Sequence, residues 1–222
     1  MAAVAATSAA VAEKALGLID VDYEVLPSAL NAEEAMKEGA PILHERLATL
    51  SNPNFRQGGY LDRESGTNIA NRFEFRVGDV EEGFRQADVV VERQFHTRPV
   101  HQGYIEPHSA TALWGTDGSV TIWCSTQGHF ALRDHTAAIL GINVSRIKIV
   151  PMEIGGGFGG KGQNGCYLEP VAVVLSQKSG QPVKLAMTRA EVFEGTGPTP
   201  ATHIRVKLGA TREGRFTAAD CQ

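Results

Sequence analysis

The chain has 222 residues, of which 42% are hydrophobic, 21% charged and 7% aromatic, and its formal net charge at pH 7 is −4. This apolar content is too high for a disordered chain and is enough for one or two globular domains. No run of Lys and Arg favours a nucleic-acid surface, and no apolar stretch reaches the roughly 18–20 residues of a membrane span.

The N-terminal part predicts short elements followed by a linker. Residues 3–18 predict a helix, and the alternating segment Asp20–Leu26 predicts a strand. Asn31 followed by Glu34 is typical of a helix N-terminus, because an Asn side chain accepts a backbone N–H three residues on. Residues 44–72 are irregular in composition, so we expect a long linker or surface loop there.

Asp79 with Glu82 indicates a second helix start, for a short helix over 80–86, and Asp88–Phe95 is rich in β-forming residues. The remaining predicted elements are an extended segment 100–114, a turn 116–119, a strand 120–125, a helix 128–140, a strand 146–150, a helix 165–178 and strands 184–187, 204–208 and 216–218. The pattern predicts an α+β or mixed α/β chain of two units, joined near residues 50–72.

Both ends of the chain have the pattern of a cut from a longer protein. The N-terminal helix is already under way at residue 1, and the chain stops at Gln222, within or just after a predicted return strand. A signal peptide is not expected, because the N-terminus lacks a basic region and Glu13 and Lys14 interrupt its apolar run.

The three cysteines, Cys124, Cys166 and Cys221, are too widely spaced for a disulfide framework or a CxxC metal site. A reducing, cytoplasmic compartment is therefore expected. Among the seven histidines, His129 and His135 are six apart on one helix and do not share a face. We therefore predict no zinc or iron site with protein ligands.

A glycine-rich segment carries the functional argument. Residues 153–162 read EIGGGFGGKG, between a predicted strand and a predicted helix, and we call residues 155–162 the glycine loop. Such a loop presents backbone N–H groups without obstruction by side chains, which suits a phosphate or another anionic group. Lys161 adds a positive charge, so the loop predicts a ligand that bears phosphate.

Two common nucleotide motifs match the loop only in part. The dinucleotide fingerprint, matched by Gly155, Gly157 and Gly160, requires an acidic residue about 20 positions later, and none is found at the end of the next strand. The P-loop pattern requires Ser or Thr after its lysine, where this chain has Gly162. A P-loop-like nucleotide binder therefore stays as the alternative, together with a non-catalytic assembly or scaffold protein.

Three ordered motifs resemble the molybdopterin-binding large subunit of the xanthine dehydrogenase, aldehyde oxidase and carbon monoxide dehydrogenase family. They are the glycine loop, the segment Ser125–Phe130 (STQGHF) and the segment Gln102–His108 (QGYIEPH). The resemblance implies that residues 1–50 are the C-terminal part of an α/β hammerhead domain. Residues 51–72 would then be a linker, and residues 73–222 the N-terminal part of the molybdopterin cofactor-binding domain.

The resemblance also implies a site. Gln127 matches the glutamine that hydrogen-bonds an oxo ligand of molybdenum, and the backbone N–H of Phe158 lies beside the metal ligands in the family. These two residues are the expected metal contacts. The cofactor-binding residues that the resemblance implies are Gln127, Gly128, Gly156, Gly157, Phe158, Gly159 and Gly160.

The chemistry implied is oxidation of a small-molecule substrate with oxygen from water, at a molybdenum–molybdopterin cofactor whose dinucleotide form stays open. Electrons would pass to iron–sulfur and FAD groups on partner subunits or domains. The family's general base is a Glu that would follow residue 222, so no catalytic residue is assigned here and the chain alone is expected to be inactive.

The substrate is less defined by the resemblance. Members of the xanthine type carry Glu directly after the loop lysine, where this chain has Gly162. This difference favours aldehydes, N-heterocycles, aromatic acyl-CoA compounds or carbon monoxide over purines. Glu106 is interpreted as a structural partner near the pocket, and Glu153 and Glu169 as solvated or paired with Lys161 or Arg189.

Overall fold

The computed structural model describes residues 2–45, 66–70, 74–162 and 165–222. The described residues form two compact units. The first unit takes its residues from 1–21 and 98–200, and the second takes its residues from 22–97 and 201–222.

Six α-helices, one 3-10 helix (Val144–Arg146) and seven strands make up the regular structure of the described residues. The helices are α1 (Ala9–Leu16), α2 (Ala32–Ala35), α3 (Val80–Arg85), α4 (His129–Leu140), α5 (Glu169–Ser179) and α6 (Arg189–Gly195). The strands are β1 (Val89–Thr97), β2 (Ser109–Trp114), β3 (Val120–Cys124), β4 (Ile147–Pro151), β5 (Val183–Ala186), β6 (Thr202–Ala210) and β7 (Phe216–Cys221).

The first unit is built on a four-stranded sheet with the order β4-β3-β2-β5. The strands β2 and β3 form an antiparallel hairpin, and β5 pairs antiparallel with β2, whereas β4 runs parallel to β3. The hairpin turn needs Gly118, whose φ of 78° lies in the left-handed region that glycine adopts without a steric penalty.

The core of the first unit lies between this sheet and the helices α4 and α5. Alternate residues of β3 are buried, as expected for a strand with one face toward a core. Both helices end at a glycine in the left-handed conformation, Gly141 and Gly180. The buried core residues are Ala110, Ala112, Val120, Ile122, Cys124, Leu132, Ala137, Ile147, Ala172 and Val173.

The second unit contains a three-stranded antiparallel sheet with the order β1-β6-β7. Its edge strand β1 is exposed at all nine residues. The helix α3 begins as predicted, with the Asp79 side chain accepting the Glu82 N–H, and α2 begins with Asn31 accepting the Glu34 N–H. Within the described residues, no helix combines the length and the apolar character needed to cross a membrane.

The mixed α and β class is confirmed, and most predicted elements are present, but three predictions are wrong. Asp20–Leu26 forms no strand, and its apolar side chains are exposed, Val25 by 92%. Alternation predicted a strand there, but a strand needs a partner to bond its backbone, and no described residue pairs with this segment. The predicted helix 3–18 extends only over Ala9–Leu16, and the extended segment 100–114 is a strand only from Ser109 onward.

Most of the predicted linker 44–72 lies outside the described residues, which here include only 44–45 and 66–70. In this region the Asn68 carboxamide donates to the carbonyls of Ala35 and Pro41 and accepts the N–H of Leu43. The predicted domain boundaries and the hammerhead assignment stay predictions.

Candidate functional site

Three separate segments meet at one edge of the first unit's sheet. Because β3 and β4 are parallel neighbours, their C-terminal ends lie side by side, and Met152 N–H donates to the carbonyl of Cys124 beyond the paired residues. The antiparallel strand β2 starts at this same edge. The segments before β2, after β3 and after β4 are the three motifs singled out in the sequence.

Lys161 is the central residue of this assembly. Its side chain is fully buried, and Nζ lies 2.6 Å from Glu106 Oε2 and 3.2 Å from Ser125 Oγ. The ammonium therefore joins the glycine loop to both other segments. The prediction that Lys161 offers its charge to a phosphate is wrong, because that charge is already paired inside the protein; this also removes the basis for a P-loop mechanism.

Glu106 holds the N-terminal end of the glycine loop. Its Oε2 accepts the Gly155 N–H at 2.7 Å, and its own backbone N–H donates to the Gly155 carbonyl. Partial burial raises the pKa of the Glu106 carboxyl, but hydrogen bonds from Lys161 and Gly155 outweigh it and hold the pKa below its usual value. Glu106 is thus an ionised structural partner of the loop, as the sequence indicated.

Gln127 holds the other half of the loop. Its Oε1 accepts the N–H groups of Gly159 at 3.1 Å and Lys161 at 3.3 Å, and its backbone N–H donates to the Lys161 carbonyl at 2.8 Å. Two donors at one end of the carboxamide identify that end as the oxygen. The Nε2 group has no partner among the described residues, so it is available as a donor.

Gly128 lies between this contact and α4. The Thr126 hydroxyl accepts the Gly128 N–H at 3.1 Å and donates to the Lys161 carbonyl at 3.3 Å. The helix α4 then begins with Gly128 as its N-cap, and no side chain caps it. The turn from β3 into α4 is therefore fastened to the same loop residue that Gln127 holds.

Several loop glycines are required by contacts within the protein. A Cβ at Gly157 would lie 2.6 Å from Gln127 Oε1, and one at Gly160 would lie 2.7 Å from Cε1 of the Tyr104 ring. Real Cβ atoms do not approach so closely. These glycines allow the loop to pack against the neighbouring motifs, a role that the sequence argument assigned only to ligand approach.

The loop turns sharply at Phe158. Gly156 and Gly159 have φ values of 95° and 87°, and Phe158 between them has a φ of 48°. It is the only described residue other than glycine with a positive φ. A bulky side chain in this region is strained, and such strain is concentrated at functional sites. The Phe158 residue is 75% exposed.

The donors and acceptors at the loop tip fit an acceptor-rich cofactor such as molybdopterin. The N–H groups of Gly156, Gly157 and Phe158 donate to no group in the part of the chain that the structure describes, although Gly157 is buried. The Gln127 Nε2 group adds a further donor. Gln102 Oε1, a buried acceptor without a partner among the described residues, lies beside the loop at Gly160, and no role was predicted for this residue within its motif.

A buried aromatic and histidine layer supports the loop. The Tyr104 hydroxyl lies 2.7 Å from His108 Nε2 and 3.3 Å from Thr196 Oγ1, and the Tyr104 ring lies under Gly160. Burial and then the nearby charge of Lys161 lower the pKa of His108 to about 4. The sequence offered no signal for Thr196, because it is 92 residues from Tyr104.

Two further titratable residues singled out in the sequence, Glu169 and Cys124, are buried and structural. Glu169 is buried, and its Oε2 accepts the N–H groups of Tyr167 and Leu168, so its expected solvation or pairing with Lys161 or Arg189 is wrong. Burial raises the pKa of Glu169. Cys124 is also buried, which raises the pKa of its thiol to about 12 and makes it a poor nucleophile or metal ligand.

Comparison with known proteins gives a family match that includes all three motifs. The family model of the molybdopterin cofactor-binding domain matches residues 61–222. The chain is 33% identical to the probable hypoxanthine oxidase XdhD of Escherichia coli K12, over 98% of the chain and 24% of that protein. It is 28% identical to the nicotinate dehydrogenase large molybdopterin subunit of Eubacterium barkeri, over 100% of the chain and 47% of that protein.

Among solved structures, the chain is similar to the CO dehydrogenase from Oligotropha carboxidovorans. The TM-score is 0.74 at 28% identity, covering 96% of this chain and 26% of that one. The chain thus spans about a quarter to a half of the length of these proteins.

Proposed function

The chain belongs to the family of molybdopterin cofactor-binding domains, and from this membership we propose that its glycine loop binds molybdopterin in the large subunit of a molybdenum hydroxylase. One observation carries the proposal. The N–H groups of Gly156, Gly157 and Phe158 have no acceptor among the described residues, at the tip of a loop that Gln127 and the Lys161–Glu106 ion pair hold in place.

The contacts of Gln127 suit the role that the resemblance gives it. The loop occupies its oxygen, so its Nε2 group is the part that donates a hydrogen bond to the cofactor. An amide donor keeps its proton. A neutral donor stabilises negative charge on an oxygen ligand without protonating it. The carboxamide is also positioned by two hydrogen bonds, so little entropy is lost when it binds.

Phe158 and its neighbours form the rest of the proposed site. The N–H of Phe158, at the strained turn of the loop, has no acceptor among the described residues, and Gly156 to Gly160 would let the backbone approach the cofactor closely. The N-terminus of α4 after Gly128 adds partial positive charge. We therefore assign the cofactor contacts to Gln127, Gly128, Gly156, Gly157, Phe158, Gly159 and Gly160, with Gln127 and Phe158 beside the metal.

When bound, molybdopterin would supply a two-electron oxidation with oxygen derived from water. The chain's own residues bind and orient the cofactor, and none is proposed as the general base. We therefore expect no hydroxylation by these 222 residues alone. The relatives are named for hypoxanthine, nicotinate and carbon monoxide, so the proposal extends to their shared chemistry and to no single substrate. We also propose iron–sulfur and FAD partners and a cytoplasmic location.

The first test is to sequence the source gene on both sides of these 222 codons. A reading frame that continues for several hundred codons, as the length of the relatives suggests, supports the proposal and lets the general base be identified. A stop codon directly after codon 222 would contradict the proposed catalytic subunit and favour an assembly or scaffold role.

The second test measures the cofactor itself. The gene product at its natural length is purified from a host that makes molybdopterin, and its molybdenum and released pterin are quantified. We expect Gln127→Ala to lose most of the cofactor, whereas the matched Gln177→Ala, at an exposed position of α5, retains it. A folded wild-type product that contains no pterin would refute the proposal.

A further inference from the structure

The second unit contains a cluster of metal-ligating side chains far from the glycine loop in sequence. His96 Nδ1 lies 2.8 Å from His203 Nδ1, and His203 Nδ1 lies 2.8 Å from Glu33 Oε1. The two imidazole rings meet edge to face, with centroids 4.6 Å apart. All three residues are exposed, so ions in solution reach them.

The fold of the second unit brings these residues together. His96 on β1 and His203 on β6 are directly opposite each other in the antiparallel register, so their side chains project from the same face of the sheet. Glu33 is in the first turn of α2, which Asn31 caps. The ligand atoms therefore come from three segments, two of them fixed by strand pairing.

The geometry of the cluster suits a cation better than a shared proton. An imidazole nitrogen either donates through a proton or accepts through a lone pair. If His203 Nδ1 carries a proton, that proton must serve both His96 and Glu33. If it carries none, its lone pair faces the oxygen lone pairs of Glu33 at 2.8 Å. No arrangement of one proton gives both contacts a linear hydrogen bond, whereas one cation among the three atoms satisfies all of them.

We infer that Glu33, His96 and His203 bind a divalent transition-metal ion, with Zn²⁺ as the representative ion. Two imidazoles and one carboxylate form a known zinc ligand set, in which water takes the fourth position. Zinc lies about 2.0–2.2 Å from such ligands, so the observed separations need only small side-chain rotations to admit it. The search for metal ligands in the sequence missed this site because His96 and His203 are 107 residues apart.

The bound ion would fasten the segment around α2 to the sheet. No regular hydrogen-bonded structure joins residues 22–30 to a strand among the described residues, and Val25 and Leu30 are about 90% exposed. A metal bond from Glu33 to the β1–β6 pair cross-links this segment to a fixed part of the unit. This site is independent of the proposed molybdopterin loop, because the two share no residue.

The test is zinc binding to the full chain after removal of metal with a chelator, measured by titration calorimetry. Cobalt absorption spectra serve as a second readout of the ligands. Both measurements are repeated with Cys221→Ser, because that exposed thiol is also a potential zinc ligand. We expect one zinc per chain, and His203→Ala is expected to weaken binding at least about tenfold.

The control variant is His44→Ala, which removes an exposed histidine of the same unit outside the cluster and is expected to leave zinc affinity unchanged. Circular dichroism of each variant verifies that it is folded. Equal zinc uptake by the wild type and a folded His203→Ala variant would overturn the inference. Absence of uptake by the wild type at millimolar zinc would overturn it as well.

Discussion

The glycine loop and the Glu33–His96–His203 cluster use similar polar groups in opposite surroundings. At the loop, the Lys161 ammonium is fully buried and its charge is balanced inside the protein. In the cluster every side chain reaches solvent, on a sheet whose edge strand is exposed throughout. Desolvation makes buried charges costly to leave unpaired, whereas water screens exposed ones. The loop should therefore be sensitive to single substitutions that the exposed sheet tolerates.

The largest effect is expected from Glu106→Gln. It leaves the Lys161 ammonium buried without a counter-charge, so we expect the free energy of unfolding to fall by about 3–5 kcal/mol. Lys161→Met should cost less, because the Glu106 side chain left behind is 29% exposed and can be hydrated. Urea denaturation of both variants measures the difference. Equal losses, or a larger loss for Lys161→Met, would show that burial of the ammonium is not the main cost of breaking the ion pair.

Acid should lower the stability of the first unit, which carries the glycine loop, because His108 is buried there. Burial lowers its folded-state pKa to about 4, so between pH 6.5 and 4 the unfolded chain binds a proton that the folded chain does not. Stability is fully present above pH 6.5 and is lost as the pH falls, by about 2 kcal/mol between pH 7.5 and 5.

The measurement is urea denaturation at both pH values for the wild type and for His108→Gln, which keeps a polar group near the Tyr104 hydroxyl. Between pH 7.5 and 5, the free energy of unfolding of the variant should fall by about 2 kcal/mol less than that of the wild type. An unchanged pH dependence would mean that His108 is not the group responsible.

A smaller effect is expected where a glycine meets Gln127. A Cβ in Gly157→Ala would lie 2.6 Å from Gln127 Oε1 and would displace that side chain from the N–H groups of Gly159 and Lys161. The loss of two hydrogen bonds should cost about 1–2 kcal/mol. In a Gln127→Ala background the same substitution should cost much less, because the clashing atoms are absent. Additive losses in the double variant would contradict this account.

The smallest effect is expected on the exposed sheet of the second unit. Arg205 Nε donates to Glu92 Oε1 at 2.6 Å, and this hydrogen bond lowers the pKa of the Glu92 carboxyl. Both side chains are exposed, so Glu92→Gln should leave the urea midpoint within experimental error. A clear shift of the midpoint would show that exposure alone does not separate the two regions.

The sequence predicted local features better than distant contacts. Capping residues such as Asn31 and Asp79 predicted helix starts correctly, because a cap depends on residues three apart. The strand predicted from the alternation in Asp20–Leu26 does not form, because a strand also needs a partner that no local pattern shows. The glycine loop was located from its composition, and its family resemblance drew attention to Gln127.

The partners of the loop could not be predicted from local pattern. Lys161 and Glu106 are 55 residues apart, and their segments meet at one edge because β3 pairs antiparallel with β2 and parallel with β4. A lysine next to glycines is typical of phosphate binding, so the sequence predicted that the Lys161 charge serves a ligand. Its burial beside Ser125 depends on packing that periodicity does not encode.

The Lys161–Glu106 pair also restricts how this protein can change over generations. Replacing either residue alone leaves an unpaired charge, so any route to a neutral pair passes through a destabilised intermediate. Two codons 55 positions apart are thus expected to change together or not at all. A library that randomises both positions and selects for folded protein should return matched pairs, and few sequences in which only Glu106 has lost its charge.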